Sequence, residues 1–177
     1  RHMLQIAGAA AALAPTALTE WLAQAATGLN LRYVGTLADL PATTVRRALP
    51  SAQADDFSYL QFSSGSTRFP LGVAVTHRAL MANILGIARD GLQIGPEDRC
   101  TSWLPIYHDM GLIGFLLTPL VCQISVDLIA TRDFARRPLL WLDLITRNGG
   151  TLSYSPTFGY ELAARRAQTA SIDHLDL

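Results

Sequence analysis

The second half of the chain alternates short β-prone apolar runs with helix-length amphipathic stretches, and glycine or proline stands at the joints. Leu104, Val126 to Ala130 and Thr151 to Tyr154 end or form such runs. Helical patterns cover His77 to Arg89, Gly111 to Leu120, Leu139 to Arg147 and Phe158 to Gln168. Alternation of this kind predicts an α/β fold with a mostly parallel sheet and flanking helices. Ligands of such sheets bind at the carboxyl ends of the strands. The loops Ser63 to Thr67, Tyr107 to Gly111 and Ser155 to Tyr160 each follow a strand and are expected to converge on one site.

The first of these loops is the most polar. Ser63-Ser64-Gly65-Ser66-Thr67 lies between the β-prone runs Tyr59 to Phe62 and Val73 to Val75. Gly65 lets the backbone approach a ligand closely, and the hydroxyls and N–H groups can point at a phosphate. Arg68 offers a forked donor to anionic oxygens, or else is an exposed loop arginine. The spacing excludes a Walker A loop, because Gly65 and Gly72 stand too far apart and Val73-Ala74 follow instead of Lys-Ser/Thr. No G-x-G-x-x-G and no G-x-S-x-G occurs. A serine hydrolase using His108 and Asp109 is disfavoured, since adjacent side chains on one loop are poorly placed as base and orienter.

The 177 residues are half hydrophobic and carry a formal net charge of zero, enough for one α/β core. Balanced charge argues against nucleic acid as a partner. The longest apolar run, Gly111 to Cys122, is shorter than a membrane span and contains Pro119, so no integral membrane association is expected. Cys100 and Cys122 sit in apolar runs without metal-ligand spacing, which predicts reduced core residues in a cytoplasmic protein. Asp55-Asp56, with no third ligand nearby, reads as a solvated turn, and no metal site is expected. Thr76 is placed to cap the helix that follows it, with Leu80, Ile84, Leu85 and Ala88 on its apolar face. Thr16 or Thr19 is expected to cap a helix reaching Ala26, with Trp21 and Leu22 on its apolar face. His108, between Tyr107 and Asp109, is either a structural histidine or a site residue.

Four segments in order then carry a resemblance. Phe62-Ser63-Ser64-Gly65-Ser66-Thr67, with Pro70, Gly72-Val73 and Thr76-His77, is similar to the ATP-phosphate loop of the adenylate-forming superfamily, which includes acyl-CoA synthetases, peptide-synthetase adenylation domains and luciferase. Ser102-Trp103-Leu104-Pro105-Ile106-Tyr107-His108-Asp109-Met110-Gly111-Leu112 resembles the second core motif of its fatty acyl-AMP ligase branch. Arg137-Pro138-Leu139-Leu140-Trp141-Leu142 and Ser155-Pro156-Thr157-Phe158-Gly159-Tyr160-Glu161-Leu162 resemble the same branch.

The resemblance implies that a fatty acid carboxylate attacks the α-phosphate of ATP, bound with Mg2+. The acyl group of the adenylate would then pass to an acyl carrier protein, as in polyketide and nonribosomal peptide biosynthesis. Ser63, Ser64, Gly65, Ser66, Thr67 and Arg68 would hold the phosphates. His108 would be catalytic, beside the carboxylate. Tyr107, Asp109, Met110, Gly111, Ser155, Pro156 and Tyr160 would line the acyl and adenylate pocket. An acyl-CoA synthetase is the alternative within the superfamily, and a non-catalytic nucleotide-binding or interaction module is the alternative outside it.

Two departures qualify the match. The superfamily loop commonly has Gly after the Thr and Lys after the Pro, where this chain has Arg68 and Leu71. Arg68 is expected to substitute for the lysine. No Tyr-Gly-x-[Ser/Thr]-Glu motif, matching ribose-binding aspartate or catalytic-lysine domain is found. The expectation is therefore a central piece of the large N-terminal domain, inactive by itself. Residues 1–56 would be the tail of a preceding region with a connector, and residues 57–177 the core.

Overall fold

A computed structural model describes residues 1–40, 48, 50–63 and 70–177. Two compact units, Arg1–Leu80 and Met81–Leu177, are taken one at a time.

In the first unit, helix α1 (His2–Ile6) leads to strand β1 (Ala11–Leu13), helix α2 (Thr19–Ala26) and strand β2 (Tyr33–Gly35). β1 and β2 pair in parallel, with Ala12 opposite Val34, so the chain must cross over between them, and α2 makes that crossing. Gly28 takes a left-handed conformation with φ of 73° after the helix, a backbone state that glycine adopts without a Cβ penalty. The expected capping hydroxyls of α2 make no cap bond. Trp21, expected on its apolar face, is 75% exposed while Leu22 is half-buried. Adjacent helix positions point about 100° apart, so Leu22 turns inward while Trp21 faces out.

Strands β3 (Phe57–Phe62) and β4 (Gly72–Thr76) form an antiparallel hairpin, unlike the parallel pairs elsewhere. Phe62 pairs with Gly72, and the Ser63 N–H donates to the Leu71 carbonyl at 2.9 Å, closing the neck of the hydroxyl-rich loop. Ser64, Gly65, Ser66, Thr67 and Arg68 lie outside the described residues. Helix α3 (His77–Leu85) begins where Thr76 Oγ1 accepts the Ala79 N–H at 3.1 Å. That cap satisfies one of the first-turn donors a helix leaves unpaired. Asp55 and Asp56 are spoken for: Asp55 pairs with Arg78 at 2.8 Å on an exposed surface, and Asp56 accepts the Gln53 N–H.

The second unit holds the core. Beyond α3 the helix widens into a π-helical turn, Gly86–Gly91. Ile84 and Ala88 are buried, whereas Leu85, expected on the same face, is 42% exposed. Strand β5 (Arg99–Ser102) is the centre of the unit. Its partner on one edge is β6 (Ser125–Leu128), parallel, with Cys100 opposite Val126. On the other edge Leu152 makes a single parallel bridge to Cys100. The strand expected over Thr151 to Tyr154 is thus reduced to one bridge, because Ser153 turns its Oγ to the Thr101 carbonyl at 2.6 Å.

The β5–β6 crossover is a helical run made of α4 (Asp109–Leu112), a π-helical turn (Ile113–Leu117) and α5 (Thr118–Cys122). It starts two residues earlier than the sequence pattern predicts. Pro119 has no N–H to give and crowds the preceding turn, and the widened turn falls directly before it. Helix α6 (Thr131–Arg136) and α7 (Leu139–Asn148) follow, and α7 ends at Gly149 with φ of 64°. Helix α8 (Thr157–Ala167) closes the unit.

Trp103, directly after β5, organises the packing. Its ring stacks on Phe134 of α6 at 3.9 Å between centroids and 5° between planes. Trp141 of α7 and Phe158 of α8 meet it edge-on at 6.4 Å and 5.6 Å. Trp141 Nε1 donates to Ser153 Oγ at 2.8 Å, which passes the bond on to Thr101. Cys100, Leu104 and Phe115 complete the buried cluster. At the opposite end of β5, Arg99 makes a two-pronged ion pair with Asp127 on β6, 2.6 Å and 3.1 Å, and holds that carboxyl below the usual range. No helix among the described residues is long and apolar enough to cross a membrane.

Phe134→Ala is expected to lower the unfolding free energy by about 3–5 kcal/mol in urea titrations, since it empties the site under Trp103. Burial pushes the Cys100 thiol up to about 11. On the order of one thiol in a thousand is ionised three pH units below such a value. Alkylation followed by mass spectrometry should therefore label half-buried Cys122 in the native protein and reach Cys100 only after denaturant is added.

Candidate functional site

The carboxyl end of β5 runs through Trp103 and Leu104 into the loop Pro105 to His108, and α4 begins at once. The loop is held against itself. The His108 N–H donates to the Pro105 carbonyl at 3.1 Å, and the Leu112 N–H donates to the His108 carbonyl at 2.8 Å. A Cβ on Gly111 would overlap that same Pro105 carbonyl, so the buried glycine is what lets the helix start this close to the strand.

Neighbours on one loop are expected to be poorly placed as base and orienter, but the His108 and Asp109 side chains meet. Asp109 Oδ1 lies 2.5 Å from His108 Nδ1, a separation that requires a hydrogen between them. The Met110 N–H lies 2.8 Å from the same carboxylate oxygen and 3.3 Å from Nδ1. The Met110 N–H is thus shared between the Asp109 carboxylate and His108 Nδ1 at the start of α4, and Nδ1 is engaged within the loop. Nε2 is then the ring atom left to face a ligand. Both side chains are more than half exposed. When the imidazole takes a second proton, Nε2–H is a donor suited to a carboxylate or phosphate oxygen.

The loop separates two shallow cavities. One, of about 260 Å³, is lined by Leu104 to Tyr107 and by the carboxyl end of β6. Tyr107 stands 82% exposed at its edge. The other, of about 220 Å³, is lined by Asn83, Ile87, Asp109, Met110, Ile113, Gly114 and Tyr154. Of the residues predicted from the sequence, Asp109 and Met110 line this second cavity.

Ser155, Pro156 and Tyr160 occupy neighbouring ground but do not line it. Ser155 Oγ donates to the Pro156 carbonyl at 3.0 Å and presses on Gly159, where a Cβ would overlap it and approach Trp103 to 2.6 Å. Tyr160 packs its ring on Trp141 at 5.4 Å. These residues fix the turn into α8, and that turn holds Tyr154 in the cavity wall. Ser63 belongs to the first unit. Tyr154 escapes the motif reading because it reads as the last residue of a core strand; the signal is an aromatic residue placed just before Ser155-Pro156.

Among the described residues no three His, Cys, Asp or Glu side chains gather to hold a metal ion. The residues assigned to the triphosphate, Ser64 to Arg68, are outside the described set, and the Ser63 backbone is tied to Leu71 at the loop's neck.

A model of the AMP-binding enzyme family matches residues 1–176. A Caulobacter vibrioides protein, provisionally named an acyl-CoA synthetase, is 57% identical over 165 residues, which cover 93% of this chain and 29% of that protein. The medium-chain-fatty-acid–[acyl-carrier-protein] ligase TtuA of Teredinibacter turnerae is 44% identical over 131 residues, 72% of this chain and 20% of its own length. A solved structure from work on fatty acyl-adenylate ligases of E. coli and L. pneumophila superimposes with a TM-score of 0.86 at 45% identity, covering 98% of this chain and 31% of that one. The chain therefore spans less than a third of the length of these relatives. With the match running over nearly every residue, and over both the β5 loop and the turn into α8, the chain belongs to the AMP-binding enzyme family.

Proposed function

We propose that this chain is part of a ligase that activates a fatty acid with ATP, giving an acyl-adenylate and pyrophosphate. The observation that carries the reading is the loop at the carboxyl end of β5. There His108 is anchored by Asp109 beside a cavity walled by Met110, Ile113 and Tyr154. It sits where a parallel α/β sheet presents ligands. In the reaction a carboxylate oxygen bonds to the α-phosphorus while the bond to the pyrophosphate oxygen breaks, and the leaving group takes the electron pair.

Such chemistry needs alignment and charge stabilisation more than a protein nucleophile. Asp109 fixes the ring of His108, and His108 Nε2 meets the carboxylate or the adenylate oxygens. Gly111 keeps that histidine close to the strand end. Met110 and Ile113 exclude water from the hydrocarbon beside the carboxylate. The serine-threonine loop after β3 binds the β- and γ-phosphates, with Arg68 in place of the commoner lysine. Mg2+, brought in with ATP, would supply charge neutralisation on the triphosphate.

For the second half-reaction we favour an acyl carrier protein thiol as acceptor, supported by the likeness to TtuA, whose name includes that carrier. Transfer to coenzyme A is the second reading, favoured by the name of the Caulobacter vibrioides relative. Tyr107 frames the adenylate and acyl group from the loop edge, while Ser155, Pro156 and Tyr160 act by fixing the turn into α8.

Fatty-acid-dependent exchange of labelled pyrophosphate into ATP by the full-length protein tests the first half-reaction. His108→Ala should reduce it by about 100-fold or more, the scale of a lost electrostatic or proton-handling group. Arg68→Ala should raise the KM for ATP; an unchanged ATP dependence would sink the assignment of Arg68. Acyl transfer to a carrier protein in preference to coenzyme A distinguishes the two acceptors.

A further inference from the structure

Helix α6 and its C-terminal cap carry Arg132, Arg136 and Arg137, with Asp133 as the one carboxylate among them. Packing decides where they point. Phe134 is the inward residue, buried and stacked on Trp103. Successive helix positions turn by about 100°, so Arg132 and Arg136, two residues either side of Phe134, both stand about 160° round from it. The stack that builds the core therefore turns them onto one outer face, and all three arginines are exposed. Arg132 reaches Asp133 only at 3.9 Å. Among the described residues, Arg136 and Arg137 make no ion pair and no side-chain hydrogen bond. The result is a ridge of guanidinium groups without a fixed acceptor.

The ridge borders the candidate site. Thr131, the first residue of α6, donates its hydroxyl to the Trp103 carbonyl at 3.0 Å, and the Ile129 N–H donates to the Ser102 carbonyl at 2.8 Å. These bonds fix α6 to the strand end from which the His108 loop leaves. The cavity of about 260 Å³ lies between them, walled by Leu104 to Tyr107 on one side and Leu128 to Thr131 on the other. Ile106, Tyr107 and Leu128 are exposed around it. An apolar patch with an aromatic residue and an arginine border has the composition of a protein–protein contact. Arg132 and Arg136 are spread over about 6 Å of helix, which suits several carboxylates on a facing surface better than a single anion.

We propose that the arginine ridge of α6, with the apolar rim of Ile106 and Leu128, is the docking surface for an acidic carrier protein that brings the acceptor thiol to the adenylate. This rests on the function proposed above and adds the place on this chain where the carrier sits. Of the two acceptors, only the carrier is a protein with a face to offer. Its carboxylates meet the arginines and an apolar side chain covers the rim, while complementary charge speeds the encounter. In the transfer that follows, the thiol sulfur bonds to the acyl carbon, the carbon–oxygen bond to AMP breaks with its electron pair on AMP, and the thiol proton leaves to solvent.

Kinetics of the full-length protein test this, with the producing organism's own acyl carrier proteins, phosphopantetheine attached, as acceptors and coenzyme A as the control. In the double variant Arg132→Glu with Arg136→Glu, fatty-acid-dependent pyrophosphate exchange should be unchanged, while the KM for the carrier rises about tenfold or more. That difference should fade in 1 M salt, where charges are screened beyond about 3 Å. Arg132→Lys with Arg136→Lys keeps the charge and should keep most of the wild-type KM. Should charge reversal unfold the protein, the neutral pair Arg132→Gln with Arg136→Gln reads the same quantity, with an expected rise of about threefold. A folded variant with an unchanged KM for the carrier overturns the proposal. So does an equal loss with coenzyme A, or a loss of binding to phosphatidylglycerol vesicles with carrier transfer intact. A wild type that exchanges pyrophosphate but acylates no carrier protein overturns the docking surface and leaves fatty-acid activation standing. A wild type without exchange overturns both.

Discussion

The stack of Trp103 on Phe134 is the contact on which the second unit depends. Trp103 is the first residue past β5, and its indole fills the space between the sheet and three helices. Two flat rings nearly parallel at van der Waals separation bury a large apolar area and resist tilting. Trp141 and Phe158 close on it edge-first, so α6, α7 and α8 all take their positions from one side chain. A cluster of this kind tolerates little change in shape, because the interior is packed as densely as a molecular crystal.

The candidate site inherits its precision from that cluster. The loop carrying His108 leaves directly from Trp103 and Leu104, both buried, while Ile106, Tyr107 and the His108 and Asp109 side chains stand in solvent. A rigid base and an open tip form within the seven residues Trp103 to Asp109. Around the site, glycines at 111, 114 and 159 each pass another group too closely for a Cβ: the Pro105 carbonyl, the Tyr154 hydroxyl, and the Ser155–Trp103 edge. Each contact joins a site residue to the core. Pro119 adds the last constraint, since the widened turn before it carries both Gly114 and Phe115.

Much of this was legible in the residues. The alternation of apolar runs and amphipathic stretches correctly indicated an α/β fold, the helices α3, α7 and α8, and the buried strand β5. Thr76 as a cap and Gly149 as a helix end follow from local chemistry and stand where expected. The second core motif was recognisable because its polar residues interrupt an apolar background. Exposure was less legible: Trp21 and Leu85 sit at apolar helix positions yet face outward, because periodicity names a face without saying what covers it. The antiparallel direction of β3 and β4 was also hidden, since side-chain alternation is the same in either orientation.

What the sequence by itself determined is the family and the chemistry on offer: the order of four motifs, the histidine beside an aspartate, and the helix caps. These are local, and a short stretch of chain carries all the information. The tertiary structure decided that Asp109 lies against the His108 ring and that Ser155 and Tyr160 support the turn into α8. It also decided that Tyr154, from forty residues away, lies against Gly114 in the cavity wall. Those outcomes depend on which side chains meet across the sheet, and such meetings are set by the packing around Trp103, which no local pattern encodes.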